Sequence, residues 1–383
     1  MKRSWTLARL VSGAGLAAVA ALTLGACAPA ISGGSTSTPA AHSHHPHATP
    51  TPTQAADPSV RVPVTCGAMF NDATVAALMG TPVVYHIDQT TNPVDIIDIV
   101  ARQYGSLICL WGGSGRTDGG YDENLTVEVT PDAAAGYAAN AQYFTAEETP
   151  AIQNTAGDQS VYGCSVDGQF QCLGNMLVGS YWVTVNLQDI GNTTLAQATA
   201  TGRMQVVMSS VAGDLKNTTA PAAWNPPGAE LPSFCSDNTS TAAVNSALGV
   251  TDFTVTGVDS GPADAQSYTQ QPGTYDQCSW GDTESGSSSS SFSYLSLAML
   301  KGGAWVMAEL PGESDSRSYQ LGAYSSITIP GADAAASSCS TGADQCDVYF
   351  TIGSVLYNVD LDDPSASLVN AALAKIVVDI KAS

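Results

Sequence analysis

The pentapeptide CLWGG at residues 109–113 returns as CSWGD at 278–282, 169 positions later. The same offset carries Cys66 onto Cys235, Val75 onto Val244 and Gly80 onto Gly249, so each Cys-x-Trp begins 43 residues after an earlier cysteine. Farther along the offset becomes 175 for Cys164 and Cys339 and 174 for Cys172 and Cys346, with Gly179-Ser180 matching Gly353-Ser354. It shifts where Ser and Gly runs such as SGSSSSS (285–291) mark loops. A period this long, kept through cysteines, glycines and a tryptophan, predicts an internal duplication.

Within a repeat, apolar periods and caps predict the elements. Asn71 or Asp72 caps a short helix that presents Val75, Leu78 and Met79 and stops at Gly80. Strands are expected around 83–87, up to Trp111, and in NLTVEVT (124–130), which alternates with period two. Thr130-Pro131 predicts a helix with proline at its first position and Tyr137, Ala141 and Phe144 on one face. Strands around Cys164 and Cys172 lead into SYWVTVNL (180–187), where Tyr181, Val183, Val185 and Leu187 face one way and Thr184 and Asn186 the other. Val355, Tyr357, Val359 and Leu361 against Asn358 and Asp360 repeat the pattern. The closing helices show Met204, Val207, Met208 and Val211, and then Val369, Leu373, Ile376, Val377 and Ile380 after an Asp363 cap and Pro364. Strands with one apolar face and helices with one apolar stripe predict an α+β fold of two tandem α-β-α sandwich domains. Each is a mainly antiparallel sheet with flanking helices and two disulfides. The domains are placed at 61–216 and 233–383, joined by the proline-rich NTTAPAAWNPPGAELP (217–232).

The chain begins with Lys2, Arg3 and Arg9, an apolar run from about Leu10 to Leu24, and then Leu24-Gly25-Ala26-Cys27. That is the pattern of an export signal, too short to span a bilayer, which takes about 20 apolar residues. Its end resembles the bacterial lipobox, which implies that the Cys27 thiol receives diacylglycerol and becomes the new N-terminus at residue 27. Residues 28–60 are rich in Ala, Ser, Thr, Pro and His and read as a disordered tether that could reach on the order of 100 Å. Within it, HSHHPH offers His42, His44, His45 and His47, imidazoles able to chelate Zn or Cu at neutral pH. Without its first 27 residues the chain has 9 basic against 34 acidic residues, a charge that repels phosphate backbones and argues against nucleic acid as a partner.

Setting Cys27 aside leaves eight cysteines, an even number in an exported chain. Their spacings lack the C-x2-C knuckles of zinc sites. The four in each repeat allow three connectivities, of which Cys66–Cys109 with Cys164–Cys172 is preferred, because a loop of six or seven residues suits a hairpin. The second repeat then pairs Cys235–Cys278 and Cys339–Cys346. The chain-entropy model assigns about 4 kcal/mol to a long loop of this size and about 2.5 kcal/mol to a short one. Trp111 and Trp280 are expected to pack on the adjacent disulfides rather than to form ligand platforms. GGSGRTDGGYDE (112–123) matches neither a phosphate loop nor a calcium loop and reads as a hairpin tip. His86 is the one histidine outside the tether, and no G-x-S-x-G or H-E-x-x-H motif is present, so no catalytic residue is assigned.

A cysteine before a short helix, then Cys-x-Trp, then cysteine-bearing strands resembles the actinobacterial lipoprotein domain of unknown function built around a Cys and a Cys-x-Trp, here covering most of both repeats. Related envelope domains resemble the PsbP-like sandwich. The resemblance implies an extracytoplasmic protein held by its lipid on the outer face of the cell membrane and attaches no catalytic residues. The expectation is a noncatalytic protein that binds a small ligand or an envelope protein. The alternative is a metal-capturing lipoprotein that uses the histidine tether, and a hydrolase comes third.

Overall fold

Each half opens on a helix dictated by its caps. The computed structural model describes residues 58–91, 93–113, 123–141, 152–153, 156–166, 170–189, 195–231, 239–251, 253–255, 265–270, 273–282, 294–314, 322–340, 345–362 and 366–382. After a one-turn α1 (Cys66–Met69), α2 (Asp72–Met79) starts where the Asn71 side chain accepts the Thr74 N–H at 2.9 Å and stops at a left-handed Gly80. Strand β1 (Tyr85–Asp88) is followed by α3 (Ile96–Tyr104), β2 (Leu107–Gly112), β3 (Glu123–Thr130) and α4 (Ala134–Asn140). Next come β4 (Ile152–Gln153), β5 (Gln159–Ser165), β6 (Phe170–Val178), β7 (Tyr181–Asp189) and α5 (Gln197–Leu215). The second half runs through α6 (Thr241–Leu248), β8 (Phe253–Val255), a 3-10 turn (Ser267–Thr269), β9 (Tyr275–Asp282) and β10 (Tyr294–Leu300). A 3-10 helix (Gly303–Ala308), β11 (Ser325–Ile327), β12 (Ala334–Cys339), β13 (Gln345–Ile352), β14 (Val355–Asp362) and α7 (Ala366–Ala382) complete it.

The strands form two antiparallel sheets, ordered β1-β2-β3-β7-β6-β5-β4 and β8-β9-β10-β14-β13-β12-β11. The two orders correspond strand for strand. On the inner face of the first sheet Cys109, Trp111, Val127, Val183, Val185 and Leu187 meet Val75 of α2 and Met204, Val207, Met208 and Val211 of α5. On the second, Trp280, Leu297, Val348, Val359 and Leu361 meet Val244 of α6 and Leu373, Ile376 and Val377 of α7. These are the faces that the period-two and period-3.6 patterns mark out.

Disulfides join Cys66 to Cys109, Cys164 to Cys172 and Cys339 to Cys346. The two short bridges link residues directly opposite each other across neighbouring strands. Cys278 is also disulfide-bonded, while Cys235, its expected partner, lies outside the described residues.

Two local expectations are corrected. Pro131 is not the first helical residue: Asp132 takes φ 55 and pairs with Arg61, which turns the chain and delays α4 to Ala134. The stretch between β1 and β2 contains α3, an additional helix started by Asp95, whose carboxylate accepts the Ile97 N–H at 2.8 Å, and ended by a left-handed Gly105. Residues 217–231 have no regular structure, yet they are docked: the Pro221 carbonyl accepts from Arg61 Nε at 2.7 Å, and the Pro227 carbonyl lies 3.4 Å from the Ser354 hydroxyl. Of the proposed tether, Pro58 is buried and Val60 packs on the first core. Phe144, Asp363 and Pro364 lie outside the described residues.

Candidate functional site

Residues 53–383 form one compact unit, and two of its buried clusters draw on both halves. In one, Val94, Ile96, Ile99 and Val100 at α3 cover the outer face of the second sheet against Ala298, Leu300, Tyr349 and Leu356. In the other, Ala265 and Tyr268 from the second half cover the outer face of the first sheet against Tyr137, Val161 and Trp182. The 169-residue offset places Tyr268 on Ile99. Corresponding connections, each between the first two strands of its half, therefore cross in opposite directions. Full burial of a large aliphatic side chain contributes about 1.5–3 kcal/mol, so the four residues at α3 alone supply on the order of 6 kcal/mol or more.

Polar groups fix the crossing. The hydroxyl of Thr130 donates to the Ala265 carbonyl at 2.6 Å, and the Ala265 N–H donates to Thr184 Oγ1 at 2.8 Å. Buried Gln103 donates to the Lys301 carbonyl at 2.8 Å and accepts from Trp305 Nε1 at 3.2 Å. Arg102 grips both carboxylate oxygens of Glu309, at 2.7 and 3.3 Å, with its guanidinium 4.6 Å from the Trp305 ring centre.

The junction also holds a carboxylate in an unusual setting. On β13, Asp347 accepts hydrogen bonds from the Tyr324 hydroxyl and the Asn358 amide. Asp360 lies directly opposite on β14, and Asp95, the cap of α3, is close enough to repel it. Beside it the Tyr349 hydroxyl donates to the Val94 carbonyl of the first half at 3.0 Å. Desolvation pushes the half-buried Asp347 carboxyl up to about 7, against the two hydrogen bonds that favour its charged form and with the charges of Asp360 and Asp95 adding to the rise. Burial raises the Tyr349 phenol as well. The corresponding positions of the first sheet hold Leu173 and Asn186, so the carboxylate pair belongs to the second half alone.

The expected site residues fall elsewhere. Trp111 and Trp280 are fully buried in the inner cores beside cysteines, where they cannot be ligand platforms. Trp280 Nε1 donates to Thr241 at 3.2 Å, whereas buried Trp111 Nε1 has no partner among the described residues. His86 stacks on Trp111 with ring centres 4.8 Å apart and places Nδ1 3.7 Å from Asp72 Oδ1. Cys27, His42, His44, His45, His47 and residues 114–122 lie outside the described residues. Among the described residues no group of three or more His, Cys, Asp or Glu could hold a metal, and no helix is long and apolar enough to cross a membrane.

The Asp347 pair and the crossing connections were missed from sequence. Their signals were there: Asp95 and Gly105 bracket an apolar Ile96, Ile99, Val100 spacing, and Asp347 interrupts the β-rich QCDVYFTI. No protein-family model, curated protein or solved structure matches this chain.

Proposed function

We propose that this is a noncatalytic envelope lipoprotein, anchored by acylated Cys27 to the outer face of the cell membrane, that presents two tandem, duplicated sandwich domains to a partner in the envelope. The observation that carries the reading is the basic, apolar and small-residue run ending at Cys27. Disulfides in both halves suit the oxidising compartment that such a signal leads to. The proposal extends the resemblance to the actinobacterial Cys and Cys-x-Trp lipoprotein domain. Helices occupy the inner faces of the sheets and the crossing connections occupy much of the outer ones, which favours a protein partner at edges and loops over a small ligand held inside a sandwich.

Detergent partitioning tests the anchor: wild type enters the detergent phase and Cys27→Ser stays in the aqueous phase. Equal partitioning overturns the assignment. The HSHHPH stretch favours a second reading, metal capture, which predicts tight Zn or Cu binding by the mature protein and its loss when residues 28–60 are removed. Equal binding with and without them removes that reading.

A further inference from the structure

The duplication supplies its own comparison at one pair of buried tryptophans. Trp111 on β2 and Trp280 on β9 hold the same place, opposite His86 on β1 and Val255 on β8. In the second half Trp280 Nε1 donates at 3.2 Å to Thr241, the first residue of α6. The 169-residue offset sets Asp72, the first residue of α2, in the place of Thr241. A carboxylate there offers an indole N–H a stronger acceptor than a hydroxyl does. Yet fully buried Trp111 Nε1 has no partner among the described residues, and the Asp72 carboxylate stands 3.7 Å from His86 Nδ1 instead. A buried donor left unpaired is costly, whereas an exposed ion pair contributes little. The first half differs in one more respect: where the second has Val255 it has His86, stacked on Trp111 with ring centres 4.8 Å apart.

We propose that Asp72 is a two-position acceptor set by the charge of His86: it faces the imidazolium when His86 is protonated and turns to Trp111 Nε1 when His86 is neutral, as Thr241 faces Trp280. Imidazole is the side chain that changes charge between pH 5 and 8, and its proton comes from and returns to solvent water. A carboxylate beside an imidazolium gains from the opposite charge. Beside a neutral ring that gain is gone, and the buried indole N–H becomes the better partner. Among the described residues the elements around His86 offer little competition. Helix α1 and strand β2 carry no ionisable side chain apart from the bridged Cys66 and Cys109. On β1, the Asp88 carboxylate accepts from the Thr90 and Thr91 amides, each at 3.1 Å, and the Tyr85 ring lies against Gly112. Arg203 packs at the far end of α2, where it donates to the Met79 carbonyl at 2.9 Å. The consequence falls on β1, an edge strand. Acid ties it to α2 through His86 and Asp72, and higher pH releases that tie beside the exposed Val84, so acidity sets how firmly this edge is held.

The test is the indole N–H NMR signal of Trp111 in the intact protein at about pH 5 and about pH 8, identified by its contact with the Phe70 ring. In wild type the signal should move downfield at the higher pH, and its exchange with water, corrected for intrinsic rate, should slow by about tenfold as the N–H gains an acceptor. His86→Val copies the second half and should show the high-pH signal at both values. A wild-type signal that does not move, as a water held on Nε1 would give, overturns the proposal. So does an equal shift in wild type and His86→Val. Should His86→Val not fold, Asp72→Ala decides: a signal that keeps its low-pH position supports the proposal, and one that shifts as in wild type refutes it.

Discussion

At the scale of single residues, Asp347 and Gly136 both lie at the contact between the halves. The folded state raises Asp347 from 3.8 to about 7, so it binds the proton more tightly than the unfolded chain does. The stabilisation is complete below about pH 3.8 and is lost as pH rises through about 7, with an upper bound of about 4 kcal/mol at 1.36 kcal/mol per pH unit. Denaturant midpoints should therefore fall between pH 5 and pH 8 in wild type and stay flatter in Asp347→Asn. Gly136 acts through space: a β-carbon there would lie 2.1 Å from the Tyr268 ring, which fills the gap against Trp182 with ring centres 5.6 Å apart. Gly136→Ala should cost about 1–3 kcal/mol by overpacking. Urea titration followed by tryptophan fluorescence would measure it, and an unchanged midpoint would mean that Tyr268 can move aside.

Among the elements, α3 belongs to one half in sequence and to the other in packing. Its Ile99 is fully buried against residues of the second sheet. Ile99→Ala should cost about 2–5 kcal/mol, and exchange protection should fall in β13 and β14 rather than in β2 and β3. If protection were lost mainly in the first sheet, α3 would be serving its own half. Leu173 on β6 is a contrast, since 48% of it is exposed; Leu173→Ser should change stability by less than about 0.5 kcal/mol. The elements visible in the sequence were those whose two ends and one face are all local. Helix α2 has Asn71 before it, Gly80 after it and Val75 and Leu78 on one side. Strand β7 alternates from Tyr181 to Leu187. The same alternation assigns Trp182 to the outer face, yet it is fully buried there by Tyr137 and Tyr268, which no local pattern could announce.

For the molecule as a whole, the question is how far the halves depend on one another. Each has its own inner core and disulfides, which favours separate folding of 61–216 and 230–383. The shared clusters pull the other way, because each fragment alone leaves Trp182, or Leu300 with Tyr349, without its cover. Fragments expressed in an oxidising compartment should fold on their inner cores but be less stable than the intact chain by several kcal/mol, given two lost apolar interfaces. The intact protein should unfold in one transition, and equimolar fragments should associate. Two separate transitions in the intact protein, with no association of the fragments, would show that the crossing contributes little.

The sequence alone determined what depends on neighbours along the chain or on spacing: the repeated 43-residue cysteine interval, the caps of α2, and the inner faces of β7 and β14. Cysteine spacing also anticipated the short bridges, since Cys164–Cys172 and Cys339–Cys346 close hairpins. Tertiary structure decided the rest. Asp347 becomes unusual only when β14 sets Asp360 opposite it and the cap of α3, some 250 residues earlier, brings Asp95 near. Ile99 and Tyr268 acquire their roles only when each reaches the other half's sheet. The reason is physical: capping and periodicity act within a few residues, whereas burial and charge repulsion depend on distances through space between segments far apart in the chain.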